Sequence, residues 1–205
     1  MSGVTLTGWL LVVGPALFLV GAGAYFWTVM RAPRDQYLAS IHGRPGLWRF
    51  ANLCLLAGTV VTTAGLDIVP AQVADSGTAL LAAAGAVSFS VAAVLWATSL
   101  VHRLAVVPTV ASRFAATGIV DPAAEIADRW AGGLFSAFVV LGAAGLIAVG
   151  LALAVGGPVS SLVGAGTSVF ALLVLGGFVI AGDVPPLTLF LPPLAIGLAL
   201  LLGLH

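Results

Sequence analysis

Few side chains in this chain can do acid–base, ligand or anion chemistry: three histidines, seven carboxylates and seven arginines in 205 residues, with no lysine. Histidine is the usual ligand of haem iron and of many metals. His42 and His102 could meet, with Asp35 or Asp128 as an oxygen donor, while His205 is the last residue. Neither an HxxxH nor an HExxH pairing occurs, and no histidine lies inside an apolar run, where a haem between helices would need it. A haem or metal protein built on His42 and His102 is therefore an alternative, and no cofactor is expected.

Asp67 is the one carboxylate near the interior of an apolar run, three residues before Pro70. A carboxylate within lipid costs about 2.5 to 3.5 kcal/mol on insertion scales and is a functional candidate by default. Thr59, Thr62 and Thr63 precede it on the same segment, and the four residues could line a path for an ion or proton. The competing expectation is that each hydroxyl bonds its own i−4 carbonyl. Asp183, in Gly-Asp-Val-Pro-Pro, reads as a turn residue.

Four arginines, Arg31, Arg34, Arg44 and Arg49, fall in one stretch, RAPRDQYLASIHGRPGLWRF. Beside an anionic leaflet each could contribute about 1 kcal/mol, enough to hold the stretch against lipid headgroups without a pocket; convergence of two or three would make a phosphate site. With zero formal net charge, the sequence shows no nucleic-acid footprint. No GxSxG elbow, GxxxxGKS/T loop or GxGxxG fingerprint occurs, so no catalytic residue is assigned and a non-enzymatic protein is expected. Cys54 is single, so no disulfide can form within the chain.

The elements that must position these groups are apolar. The chain is 61% hydrophobic and 7% charged, against about 25% charged for an average soluble domain. About 20 apolar residues make one membrane span. Six such segments predict an all-α polytopic membrane protein, a six-helix bundle forming one domain over residues 1–205, with spans near 8–30, 47–69, 78–101, 131–155, 159–181 and 187–204. The last is short and carries Pro192 and Pro193, so it reads as either a kinked span or a re-entrant piece.

Arginine in short loops is retained in the cytoplasm. Arg31, Arg34, Arg44 and Arg49 flank the first connection, and Arg103, Arg113 and Arg129 flank the third. Six spans then place both termini outside the cytoplasm and loops 31–46 and 102–130 within it, in the cell membrane. Trp27, Trp48 and Trp130 would mark the cytoplasmic interface, Trp96 would sit deeper and Trp9 at the other face.

The loops also carry helix signals. Tyr37, Leu38 and Ile41 share a helical face that could lie in the interface. Pro108 can open a helix ending near Gly118, and Asp121-Pro122 reads as an N-cap and first residue of another that runs into span four, with Glu125 and Arg129 paired and Gly132-Gly133 allowing a bend. Asn52, Ser88, Ser90, Thr98 and Ser99 are expected to form hydrogen bonds within or between helices.

Gly14, Pro15 and Phe18 in span one, followed by the arginine loop, Trp48-Arg49 and the Ala-Gly-Leu at 64–66, resemble small multi-pass bacterial integral membrane proteins to which no activity is assigned. The resemblance covers about the first 70 residues. It implies an all-α membrane fold and brings no site residue with it. The expected role is an accessory, scaffolding or lipid-binding membrane subunit; a small transporter using Asp67 and the threonines is the alternative. Expected partners are the lipid bilayer, anionic headgroups and other membrane subunits or a second copy of the chain.

Overall fold

Glycine and proline decide where these helices break, stop and touch. The computed structural model describes residues 2–204, the side chains of Ala24 and Trp27 excepted, and contains no strand among them. In chain order the helices are α1 (Gly3–Gly21), α2 (Ala24–Arg31), α3 (Arg34–Gly43), α4 (Pro45–Ile68), α5 (Ser76–Ala105), α6 (Val107–Thr117), α7 (Pro122–Gly156), α8 (Ser161–Ala181) and α9 (Leu191–Leu202). Short 3-10 turns follow α4 at Val69–Gln72 and precede α9 at Pro186–Phe190. His205, a candidate ligand, and the side chain of Trp27 lie outside the described residues.

Five helical stretches are long and apolar enough to cross a membrane: Gly3–Gly21, Pro45–Gln72, Ser76–Thr117, Pro122–Gly156 and Ser161–Ala181. The sixth, Pro186–Leu202, is shorter. At about 2.0 Å per 3-10 residue and 1.5 Å per α residue it still covers about 28 Å. It runs the length of the bundle and does not turn back, because the Ser160 N–H, at the start of α8, donates to the Leu204 carbonyl at 3.0 Å.

The first expected span, 8–30, is corrected to two helices, with a break at Ala22-Gly23. Apolarity is continuous there, but Gly21 lies against α4 so closely that a Cβ would fall 2.5 Å from the Ala51 carbonyl oxygen. Ala22 caps α1 and Gly23 is the N-cap of α2. In the loops, Asp121 caps α7 by accepting from the Ala123 N–H, and Arg129 reaches Glu125 at 4.0 Å. Gly118, at φ 69°, ends α6 in the left-handed conformation that glycine adopts without strain. Gly132 and Gly133 leave α7 continuous.

Six helices close into a ring, each packed on the next: α1, α4, α5, α7, α8, α9 and back to α1. Backbones meet where glycine removes the side chain. Gly14 faces Gly58 and Thr62, Gly85 faces Gly145, and Gly150 faces Gly164, with hypothetical Cβ positions 2.3–3.0 Å from neighbouring backbone. The ring interior is an aromatic column. Phe18 stacks on Phe190 at 3.8 Å between centroids, Phe89 and Phe138 flank Phe190, and Trp96 stacks on Phe138 at 5.3 Å. All five rings are fully buried. A smaller layer covers the arginine-rich end of the bundle, where α3 packs on α6. Leu38 and Ile41 are buried there, so protein covers the apolar face expected to lie in the interface.

Candidate functional site

The column ends at the arginine-rich end in a cavity of about 650 Å³, framed by α2, α3, α5, α7 and the turn before Pro186. The break at Ala22-Gly23 carries α2 to one side of it, and α5 supplies the back wall through Ser99, His102 and Arg103. Trp96 lies seven residues before Arg103, two helical turns below it on the same face.

Arg103 is the centre of the arrangement. Its guanidinium lies 5.5 Å from the Phe26 ring centroid and 5.2 Å from that of Trp96, and Nη1 is 3.7 Å from the Met30 sulfur. Such contacts contribute about 0.5 to 2 kcal/mol each, depending on desolvation. The Arg103 carbonyl accepts from Trp48 Nε1 at 2.9 Å, fixing this turn of α5 to α4. Among the described residues Arg103 forms no ion pair. His102 is buried, and both of its ring nitrogens lack a hydrogen-bond partner. Asp128 Oδ1 is 3.6 Å from His102 Nε2, too long for a hydrogen bond. The same carboxylate holds Arg34 Nη2 at 2.6 Å.

Tyr37 packs edge-on against Trp48, and its hydroxyl pKa is pushed up to about 12. Burial is the main cause, with the Asp128 charge adding and Arg103 and Arg34 opposing. The phenol is therefore a neutral O–H donor at the cavity wall. Asp183, expected as a turn residue, does occupy a turn, after Gly182 at φ 72°, and that turn brings it into the cavity lining. Three arginines, Arg31, Arg34 and Arg103, against Asp128 and Asp183 leave one positive charge with His102 neutral.

The four arginines of the first loop separate. Arg31 and Arg34 line the cavity; Arg44 and Arg49 are exposed and outside it. His42 is exposed at the end of α3 and does not line the cavity that His102 occupies, and Asp35 is exposed in the first turn of α3. Among the described residues no group of three or more His, Cys, Asp or Glu is placed to hold a metal. Asp67 is exposed and accepts from the Ser90 hydroxyl at 3.0 Å. Thr59, Thr62 and Thr63 donate to the carbonyls of Leu55, Gly58 and Thr59.

Trp48, expected at the interface, is corrected: it is fully buried, because α3 and the Arg103 turn close over it. In the sequence Arg103 reads only as a marker of topology. The signal that could have singled it out is the Trp96–Arg103 spacing, which stacks a cation over an indole on one helical face.

No family model, curated protein or solved structure matches this chain.

Proposed function

We propose that this chain is a multi-pass integral protein of the cell membrane that binds an anionic component of the bilayer at its arginine-rich end and acts as an accessory or scaffolding subunit, not an enzyme. The observation that carries this reading is Arg103, held between two aromatic rings in a 650 Å³ cavity without an ion pair among the described residues. His102 beside it, with both ring nitrogens unpartnered, supports the same reading. Buried polar groups are almost always satisfied. Cavities of this size are typical of small-ligand sites.

In this reading the arginine-rich end faces the cytoplasm and both chain ends face out, following the retention of arginine in short loops. A membrane-impermeant thiol reagent tests the orientation in a Cys54→Ala background. It should label Ser2→Cys in intact cells and Thr117→Cys only after permeabilisation; the reverse pattern overturns it. Mass spectrometry of the protein purified in mild detergent tests the role. Retained lipid or a co-purifying membrane subunit is expected, and protein that runs alone and free of lipid overturns the proposal.

A further inference from the structure

We infer that the cavity takes an anionic amphiphile, its headgroup against Arg103 and its acyl chain leaving over an apolar rim. The inference rests on the reading that the cavity is a binding site, and adds the class of ligand.

Charge comes first. Asp128 engages Arg34 directly, which leaves the Arg103 guanidinium, without an ion pair among the described residues, to meet an anion such as a carboxylate or a phosphodiester. The Arg103 guanidinium is held by ring faces on Phe26 and Trp96, an arrangement that positions its plane while leaving N–H donors for an anion. The neutral Tyr37 hydroxyl adds a hydrogen-bonding group at the cavity wall.

The rim then distinguishes an amphiphile from a free anion. Part of the lining is an apolar rim of Met30, Ala131, Gly132, Phe135, Val184 and Leu187, none of which carries a polar side chain. A phosphate ion gains nothing from these groups. An acyl chain gains about 0.8 kcal/mol for each CH₂ it buries. Gly132 marks a gap in that rim, since a Cβ built on it would have no atom within 4 Å. A volume of 650 Å³ holds a headgroup and the start of a chain, and the remainder would lie along the bundle surface among lipid.

The test uses the full-length protein in a neutral detergent with three probes: phosphatidylglycerol, phosphatidylcholine with the same acyl chains, and glycerol phosphate. Native mass spectrometry counts bound lipid, and the thermal midpoint reports stabilisation. Phosphatidylglycerol should be retained about tenfold better than phosphatidylcholine, as expected for a charge-assisted contact, and glycerol phosphate should shift nothing. Arg103→Gln should abolish the preference between the two lipids. Gly132→Leu fills the open rim and should lower phosphatidylglycerol retention without lowering the midpoint of the lipid-free protein, which keeps the test valid if Arg103→Gln fails to fold. Equal retention of both lipids overturns the charge assignment. Glycerol phosphate matching phosphatidylglycerol overturns the amphiphile. Retention of neither lipid, with Gly132→Leu inert, overturns the binding-site reading itself.

Discussion

Gly132 and Gly150 lie on one helix, α7, about 27 Å apart along its axis, in opposite surroundings. A Cβ at Gly150 would fall 2.7 Å from the Gly164 carbonyl oxygen and 2.8 Å from the Ser168 nitrogen; one at Gly132 would meet nothing within 4 Å. The same helix is thus welded to α8 at Gly150, while at Gly132, beside the cavity, one of its faces is open. Close helix approach in lipid depends on small residues, since apolar burial alone does not distinguish helix from acyl chain. The contrast shows that the tight seams fix the bundle and leave the arginine-rich end open.

Substitution breaks this contrast most sharply at the seam. Gly150→Leu should destabilise the protein by about 3 kcal/mol or more, because backbone atoms of α8 cannot move aside as a flexible side chain would. Denaturant or thermal unfolding in micelles measures it, and an unchanged midpoint would show that the seam yields. At the open end the loss appears with pH. Tyr37 keeps its proton in the folded chain up to about pH 12, whereas an exposed tyrosine releases it near 10. Its contribution to stability is complete below pH 10 and is lost as pH rises through about 12. In a Tyr25→Phe variant, the only remaining tyrosine should show phenolate absorbance only near that upper value.

Smaller effects sharpen the comparison further. Gly132→Ala should raise stability by about 0.4 to 1 kcal/mol, the sign opposite to that at Gly150, since the helix gains and nothing is displaced. Asp128→Asn removes the Arg34 ion pair at a partly exposed site and should cost only about 0.2 to 1 kcal/mol. Smallest of all, Thr59→Val should change unfolding by less than about 0.6 kcal/mol, because its hydroxyl serves only its own Leu55 carbonyl. Its companion Asp67→Asn, measured as ion flux in liposomes, should behave as the parent; loss of flux would restore the path along α4.

What could be read from sequence was local or repeated. Asp121-Pro122 and Gly118 announced the ends of α6 and α7 because a cap is determined by its own neighbours. The long helices followed from apolar runs. The break at Ala22-Gly23 was hidden because hydropathy does not fall there; the approach of α4 to Gly21, a tertiary fact, ends α1. The cavity was hidden for the same reason. It gathers Arg34 from α3, Arg103 from α5, Asp128 from α7 and Asp183 from a distant turn, and no spacing in the chain encodes their meeting. Trp48 shows the limit of a compositional rule: an aromatic residue next to a basic loop fits the membrane interface equally well until α3 folds over it.

The closed ring has a consequence for synthesis. Helix α1 packs on α9, where Gly8 meets Leu201 and Gly197 meets Leu11, yet the two are separated by nearly the whole chain. Synthesis from the N-terminal side brings out α1 and α4 before α9, so one side of α1 waits for α9. Until then that flank, with Gly8 and Leu11, lies open to lipid or to whatever escorts nascent membrane helices. Joining α1 to α9 is a contact of long sequence separation, the kind that forms slowly. Substitutions at Gly197 should act on the yield of assembled protein more than those in any helix that packs on its immediate predecessor.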